Sequence, residues 1–289
     1  MAKSPRLRLD ESLVERGLAP SRSAARGLIM AGLVLVDGEM RDKAGTPISR
    51  EAQVELKERP RYVSRGGDKL VHALKVFGLD VTDTSVLDVG SSTGGFVDCM
   101  LQAGASRVIA LDVGRGQLDG RLRNDGRVHV MEKINARHLD CGTLPWVPDF
   151  FTMDVSFISV RKVLPAVQAC LAPSNRGLVL IKPQFEAGPR QVGKGGVVRD
   201  PQVHREVLLD LGRFVVESGG CELMGVCDSG LMGADGNREF FFYVGSGGEN
   251  AWGIDTLERA VDSLLEDVVP DVTGDSARPD EQQDATARW

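Results

Sequence analysis

Between about residues 65 and 247, short apolar runs alternate with stretches of helical periodicity. Seven runs are rich in β-branched, aromatic and aliphatic residues: 85–90 (SVLDVG), 107–113 (RVIALDV), 127–132 (RVHVME), 149–156 (DFFTMDVS), 177–183 (GLVLIKP), 222–229 (ELMGVCDS) and 239–245 (EFFFYVG). Their lengths are those of strands. Segments such as 95–104 (GFVDCMLQAG) and 204–219 (HREVLLDLGRFVVESG) lie between several of them and repeat their apolar positions with the helical period. Alternating β and α elements predict an α/β domain: a mostly parallel, doubly wound, Rossmann-like sheet of seven strands with helices on both faces. The last two runs are joined by a loop carrying Gly230, Gly233 and Gly236 instead of a helix, which predicts a closing hairpin and one antiparallel strand.

The front of the chain has a different rhythm. Residues 9–18 (LDESLVERGL) predict a short amphipathic helix, and Ser21 caps a second, in which Ala24, Leu28 and Ile29 recur at helical spacing. Residues 33–40 (LVLVDGEM) alternate around Asp37-Gly38 and predict a β-hairpin, and 46–56 (TPISREAQVEL) add a further short strand. The resulting plan is a small α+β domain over 1–58, a linker at 59–64 (RPRYVS), the large domain over 65–268 ending in a helix, and a polar, acidic tail at 269–289 expected to be disordered.

Composition bears on this picture in four places. With 42% hydrophobic and 26% charged residues the chain is ordinary for a globular protein, and no apolar run reaches the ~18–20 residues of a membrane span. The N-terminus has basic residues but no apolar core behind them, so a secretory signal is not expected and the cytoplasm is. The five cysteines (Cys99, Cys141, Cys170, Cys221, Cys227) are odd in number, scattered and free of C-x-x-C pairs, so neither a disulfide framework nor a metal site is expected. The net charge of −6 is unevenly spread: residues 1–69 hold 14 Lys and Arg against 10 Asp and Glu, while 248–289 hold 3 Arg against 11 acids. A basic front and an acidic tail make nucleic acid a candidate partner despite the overall sign.

Candidate chemistry begins at Leu87-Asp88-Val89-Gly90-Ser91-Ser92-Thr93-Gly94-Gly95-Phe96, where the first strand of the large domain runs into a helix. Ligands bind such sheets outside the carboxyl ends of the strands. Gly90, Gly94 and Gly95 allow a tight turn and close backbone approach. Asp112, followed by Val113, ends the next strand and is placed to accept from ribose hydroxyls. A dinucleotide loop would read G-x-G-x-x-G and cradle pyrophosphate. Here the loop is D-x-G-x-x-x-G-G, and Asp88 would repel pyrophosphate but attract the cationic amino-acid part of S-adenosylmethionine.

Two more strand ends carry polar residues in apolar surroundings, Asp154 and Lys182. Burial after the run 178–181 favours a neutral lysine, able to take a proton from a ribose hydroxyl. Lys69 at a helix start and Glu239 at a strand start complete a Lys-Asp-Lys-Glu set. That set and the glycine loop resemble the FtsJ-like ribose 2′-O-methyltransferases. YVSRGGDKL, VLDVGSSTGGF, DVSFIS, LIKPQFE and GVVRDP together resemble the TlyA family, over nearly the whole chain except the tail. The resemblance implies a class I methyltransferase fold behind an S4-type RNA-binding domain, S-adenosyl-L-methionine as cofactor, and rRNA cytidines in ribosomal subunits as substrate. It implies Lys182 as general base, Asp154 near the reacting methyl, and Lys69 and Glu239 as orienting groups. No metal enters that chemistry.

The N-terminal module matches the S4 pattern in R-L-D-x-x-L-V-E-R-G-L, S-R-S-x-A-R-x-L-I and G-x-V-L-V-D-G. Arg6, Arg8, Arg22, Arg26, Arg41 and Lys43, with Arg65 beyond the linker, are the candidate phosphate contacts. Arg61 and Tyr62 are placed to couple RNA docking to the cofactor site. Two rival readings exist. A non-enzymatic RNA-binding or assembly protein is opposed by the complete Lys-Asp-Lys-Glu set. A membrane-active haemolysin, a label some relatives carry, is opposed by the lack of a membrane-spanning or strongly amphipathic basic helix.

Overall fold

A computed structural model describes residues 6–30, 32–57, 60–218, 220–233, 235–247 and 251–266. The acidic tail, for which disorder is expected, lies outside them. The chain divides into two compact units, Met1–Arg61 and Tyr62–Trp289.

The first unit contains β1 (Arg6–Arg8), α1 (Leu9–Glu15), α2 (Arg22–Met30), β2 (Val34–Val36), β3 (Glu39–Met40), β4 (Pro47–Ser49) and β5 (Val54–Leu56). The apolar faces of the two helices meet the strands in one core, with Leu9, Leu13, Ala25, Ile29, Val34 and Ile48 among its buried members. β2 and β3 form the expected hairpin, and Asp37 and Gly38 both take positive φ, 52° and 80°, as a type I′ turn requires. The 46–56 segment makes two strands, not one. The Ala52 N–H donates to the Ser49 carbonyl and the Gln53 N–H to Asp37 Oδ1 (2.8 Å), so the chain turns at 50–53; β4 then pairs with β1 and β5 with β2.

The second unit is built on β6 (Ser85–Val89), β7 (Arg107–Asp112), β8 (Val128–Glu132), β9 (Phe150–Met153), β10 (Asn175–Ile181), β11 (Glu222–Asp228) and β12 (Phe240–Ser246), in the order β11-β12-β10-β9-β6-β7-β8. The contacts among β10, β9, β6, β7 and β8 are parallel, whereas β12 runs antiparallel to both β10 and β11. Alternate residues feed opposite faces. Leu87, Ile109, Phe151 and Val179 pack beneath α6 (Pro201–Ser218) and α7 (Ile254–Glu266), while Val86, Val108, Phe150 and Leu178 pack beneath α3 (Arg65–Val76) and α4 (Gly95–Gln102).

The unit boundary falls inside the 59–64 segment, and Tyr62 is buried in the core beneath α3 and α4; a Cβ on Gly67 would come within 2.3 Å of its side chain. One further feature departs from the sequence reading. Cys141 and Cys170 form a disulfide, contrary to the expectation that the cysteines stay unpaired. They stand 29 residues apart, on a short turn before β9 and just after α5 (Leu164–Gln168), and the fold brings their Cα atoms to 4.9 Å. Spacing along the chain carries no trace of that proximity.

Candidate active site

Strand register places the chemistry. Val89 is level with Leu111 on β7 and with Met153 on β9, so Gly90, Asp112 and Asp154 follow side by side at the C-terminal rim. Ile181 on β10 is level with Phe240 on β12, which sets Lys182 beside Glu239 where the antiparallel strand begins. One edge of the sheet therefore presents Asp112, Gly90, Asp154, Lys182 and Glu239 from five different strand ends. Gly90 has φ +85°, and any Cβ there would sit 2.3 Å from the Asp154 carbonyl oxygen, so the two chains cross too closely for a side chain.

A cavity of about 410 Å³ opens over this rim, within the range of about 300–1,000 Å³ common for small-molecule sites. Gly90, Ser92, Asp112, Gln117, Asn135 and Asp154 are among its lining residues, with Val113 and Phe157 strongly exposed at its edge. Asp112 is held from both sides: Oδ2 accepts from the Ser92 N–H (2.8 Å) and Oδ1 from the Gly114 N–H (2.6 Å). Each oxygen keeps a further lone pair for a ligand hydroxyl.

The other loop residues separate by role. Thr93 is exposed, Ser91 is buried, and neither lines the cavity. Gly94 and Gly95 make room for neighbouring protein: their missing Cβ atoms would strike the Leu118 and Leu122 side chains and Ser64 Oγ respectively. Phe96 is a core residue, its ring 6.0 Å from that of Phe241. Asp88 is fully buried below the rim, accepting from the Thr152 hydroxyl at 2.6 Å through Oδ1, while Oδ2 has no partner. Burial pushes its carboxyl up to about 7; the Thr152 hydrogen bond opposes this, and the Asp154 and Asp112 charges add to it.

The four candidate catalytic side chains form two ion pairs. Lys182 Nζ lies 2.5 Å from Asp154 Oδ1 and donates to Ser156 Oγ (2.9 Å). Lys69 reaches over from α3 to Glu239 Oε2 at 2.5 Å, with side chains only 11% and 5% exposed. The loop after Asp154 is pinned by Glu186, which accepts from Ser159 Oγ (2.6 Å) and the Val160 N–H (2.7 Å) and whose carboxyl is pushed up mainly by burial. Within that loop Phe157 is 90% exposed and takes φ +62°. Gln117 and Asn135 escaped the sequence reading because they lie in loops with no periodic pattern, and Ser156 and Phe157, though inside the DVSFIS motif, were not singled out; the positive φ of a bulky, exposed residue is a structural signal only.

In the N-terminal unit Arg6, Arg8, Arg22, Arg26 and Lys43 are exposed, and Arg41 is half-buried and paired with Glu39 (2.6 Å). Arg65 belongs to the second unit and donates to the Met232 carbonyl (2.5 Å). Among the described residues no group of His, Cys, Asp and Glu is placed to hold a metal, and no helix is long and apolar enough to cross a membrane.

A doubly wound seven-stranded sheet with one reversed strand, and a ligand cavity over its glycine bend, define a class I methyltransferase. The family description "FtsJ-like methyltransferase" matches residues 62–246, and "S4 domain" matches 7–54. Similar proteins include YqxC of Bacillus subtilis (45% identical, covering 91% of this chain and 94% of that one). The 16S/23S rRNA (cytidine-2′-O)-methyltransferase TlyA of Mycobacterium tuberculosis is 43% identical over 89% of this chain and 96% of its own. A solved structure from Streptococcus thermophilus, described as a hemolysin, superimposes with TM-score 0.68 at 39% identity, covering 91% of this chain and 97% of that one. The chain belongs to the TlyA family.

Proposed function

We propose that this protein transfers a methyl group from S-adenosylmethionine to the ribose 2′-OH of cytidines in small- and large-subunit rRNA, in the cytoplasm. The observation that carries the reading is the Lys182–Asp154 pair standing at the edge of a cavity whose wall includes Gly90 and Asp112. The residues fit an adenosine cofactor with a cationic end: Asp112 faces the cavity with free lone pairs, and the buried Asp88 keeps one oxygen unpartnered below it. When bound, S-adenosylmethionine supplies a methyl group on positively charged sulfur.

The remaining work falls to the chain. A ribose hydroxyl is a weak acid and attacks effectively only as its proton leaves. Lys182 Nζ, in its neutral form, takes that proton. Asp154 Oδ1 and Ser156 Oγ fix where the amine points, and the Lys69–Glu239 pair beside it orients the ribose. Holding the hydroxyl and the methyl in line supplies much of the acceleration. Residues 1–58 grip RNA through Arg6, Arg8, Arg22, Arg26, Arg41 and Lys43 by phosphate contacts that position more than they specify.

The test is incubation with labelled S-adenosylmethionine and ribosomal subunits lacking the modification, followed by nuclease mapping. Label on the ribose of cytidine is expected. Label on a base, or none on RNA, overturns the reading, and a chain starting at residue 62 that methylates RNA as well as the full protein overturns the docking role.

A further inference from the structure

We propose that Asp10 is a buried positioning residue that gathers Arg8, Arg22 and Arg26 into one phosphate-gripping cluster. The inference rests on the reading of the N-terminal unit as the RNA-binding part.

Asp10 sits in the first turn of α1 and is fully buried, an uncommon place for a carboxylate unless it is paired. Its two oxygens accept from Arg8 Nε (3.0 Å) and Nη2 (3.1 Å), from Arg22 Nη2 (3.3 Å) and from Arg26 Nε (3.2 Å). The arginines come from two elements: Arg8 ends β1, and Arg22 and Arg26 lie four apart on one face of α2. The Arg8 hydrogen bond, more than any other contact, holds the Asp10 carboxyl well below the usual range, so it stays charged.

The stoichiometry is what a purely structural ion pair does not need. Three guanidinium groups converge on one carboxylate, and among the described residues the only other acid on them is Glu11, 3.1 Å from Arg22 Nη1. The sum is a net positive charge. The arginine side chains remain 45%, 50% and 54% exposed. A guanidinium has five N–H donors, and Asp10 occupies two of Arg8 and one each of Arg22 and Arg26. Apart from Arg22 Nη1, which meets Glu11, the remaining donors have no partner among the described residues and can face a phosphate. Left to themselves, three like charges on long side chains would spread apart. A buried anion beneath them holds the cluster together before RNA arrives and lowers the ordering cost of binding.

The sign of one substitution separates this from a simple charge effect. Asp10→Asn is nearly isosteric and makes the unit more positive, so long-range electrostatics alone would tighten RNA binding. A positioning role predicts the opposite. With the full-length protein and in vitro transcribed rRNA, Asp10→Asn should weaken binding by about tenfold and flatten the dependence of log affinity on log salt by about one. Glu15→Gln, the same charge change on the same helix, should not weaken it. Arg26→Ala should cost less in the Asp10→Asn background than in the parent. S-adenosylmethionine affinity, read by calorimetry, should not move.

Asp10→Asn binding rRNA as tightly as the parent, or more tightly, overturns the proposal. If Arg22→Ala and Arg26→Ala both bind like the parent, the RNA surface itself is lost and the positioning role with it. Should Asp10→Asn fail to fold, Arg8→Lys decides: it keeps the charge but cannot span both carboxylate oxygens, and parental affinity would overturn the proposal.

Discussion

The two units handle charge in opposite ways. On the N-terminal unit one buried acid, Asp10, serves three exposed arginines, and the surplus charge is displayed outward. At the sheet rim the four candidate catalytic side chains are matched one to one, Asp154 with Lys182 and Glu239 with Lys69, and all four are withdrawn from water to 26% exposure or less. Displayed charge suits a partner that is itself a long polyanion and is met through many weak contacts. Matched, half-buried charge suits a single proton moved over a short distance, where each group must be held in place and its field is little screened. On the proposed reading, the same side-chain types serve affinity in one unit and chemistry in the other.

The sharpest way to break that contrast is at Lys182. Lys182→Arg keeps a cation beside Asp154 but cannot release a proton at working pH. It should lower kcat by about 10²–10⁴-fold while rRNA and cofactor affinities stay within about twofold. Single-turnover rates and equilibrium binding on the same preparation check this. Parental kcat in Lys182→Arg would make the rim pair an electrostatic device like the arginine cluster, and the contrast would fall.

The Lys69–Glu239 pair has the next largest effect, on stability as well as rate. Lys69→Met leaves a carboxylate 5% exposed without its partner, which should cost about 3–5 kcal/mol and lower Tm by about 10 °C. Lys69→Met combined with Glu239→Leu should recover most of the stability, since an apolar pair suits that burial, but not the methyl transfer. Thermal unfolding and kcat measured across the cycle separate the two roles; recovery of both together would show that the pair serves the fold alone.

Sequence made the sheet, its reversed strand and the rim set legible for a physical reason. Strand ends in a parallel sheet converge on one edge, so Asp112, Asp154 and Lys182 could be grouped without knowing a single distance. The pairings within that set were not legible. That Lys182 meets Asp154 while Lys69 meets Glu239 depends on the register between β10 and β12 and on the reach from α3. Nor was it legible that a Cβ on Gly94 or Gly95 would meet Leu118, Leu122 and Ser64. The Cys141–Cys170 bond was hidden for a similar reason, being made by two connections that only the finished fold brings together. Chain-local patterns report periodicity and punctuation; they do not report which neighbour fills a gap.

Asp88 lies between the two treatments of charge, an acid with no cation of its own, and it gives the smallest but most discriminating measurement. An ordinary aspartate ionises near 3.8, while burial pushes Asp88 up to about 7. Between those values the folded protein keeps a proton that the unfolded chain has already lost. The contribution of Asp88 to stability therefore falls as pH rises through that window and levels off above about 7. Asp88→Asn has no proton to lose. It keeps the acceptor for the Thr152 hydroxyl but places an amide where the unpartnered Oδ2 stood, so its absolute Tm carries a constant offset. The informative quantity is the change in Tm difference with pH, which should move in the variant's favour from pH 5 to 7, by on the order of 2–4 °C for each kcal/mol involved, and stay constant from pH 7.5 to 8.5. Cofactor affinity should rise across the same window in the parent, as the carboxylate becomes available to a cationic ligand, and stay flat in the variant. A Tm difference independent of pH would mean that Asp88 is already charged at pH 5, matched like the rim pairs by something other than a bound cation.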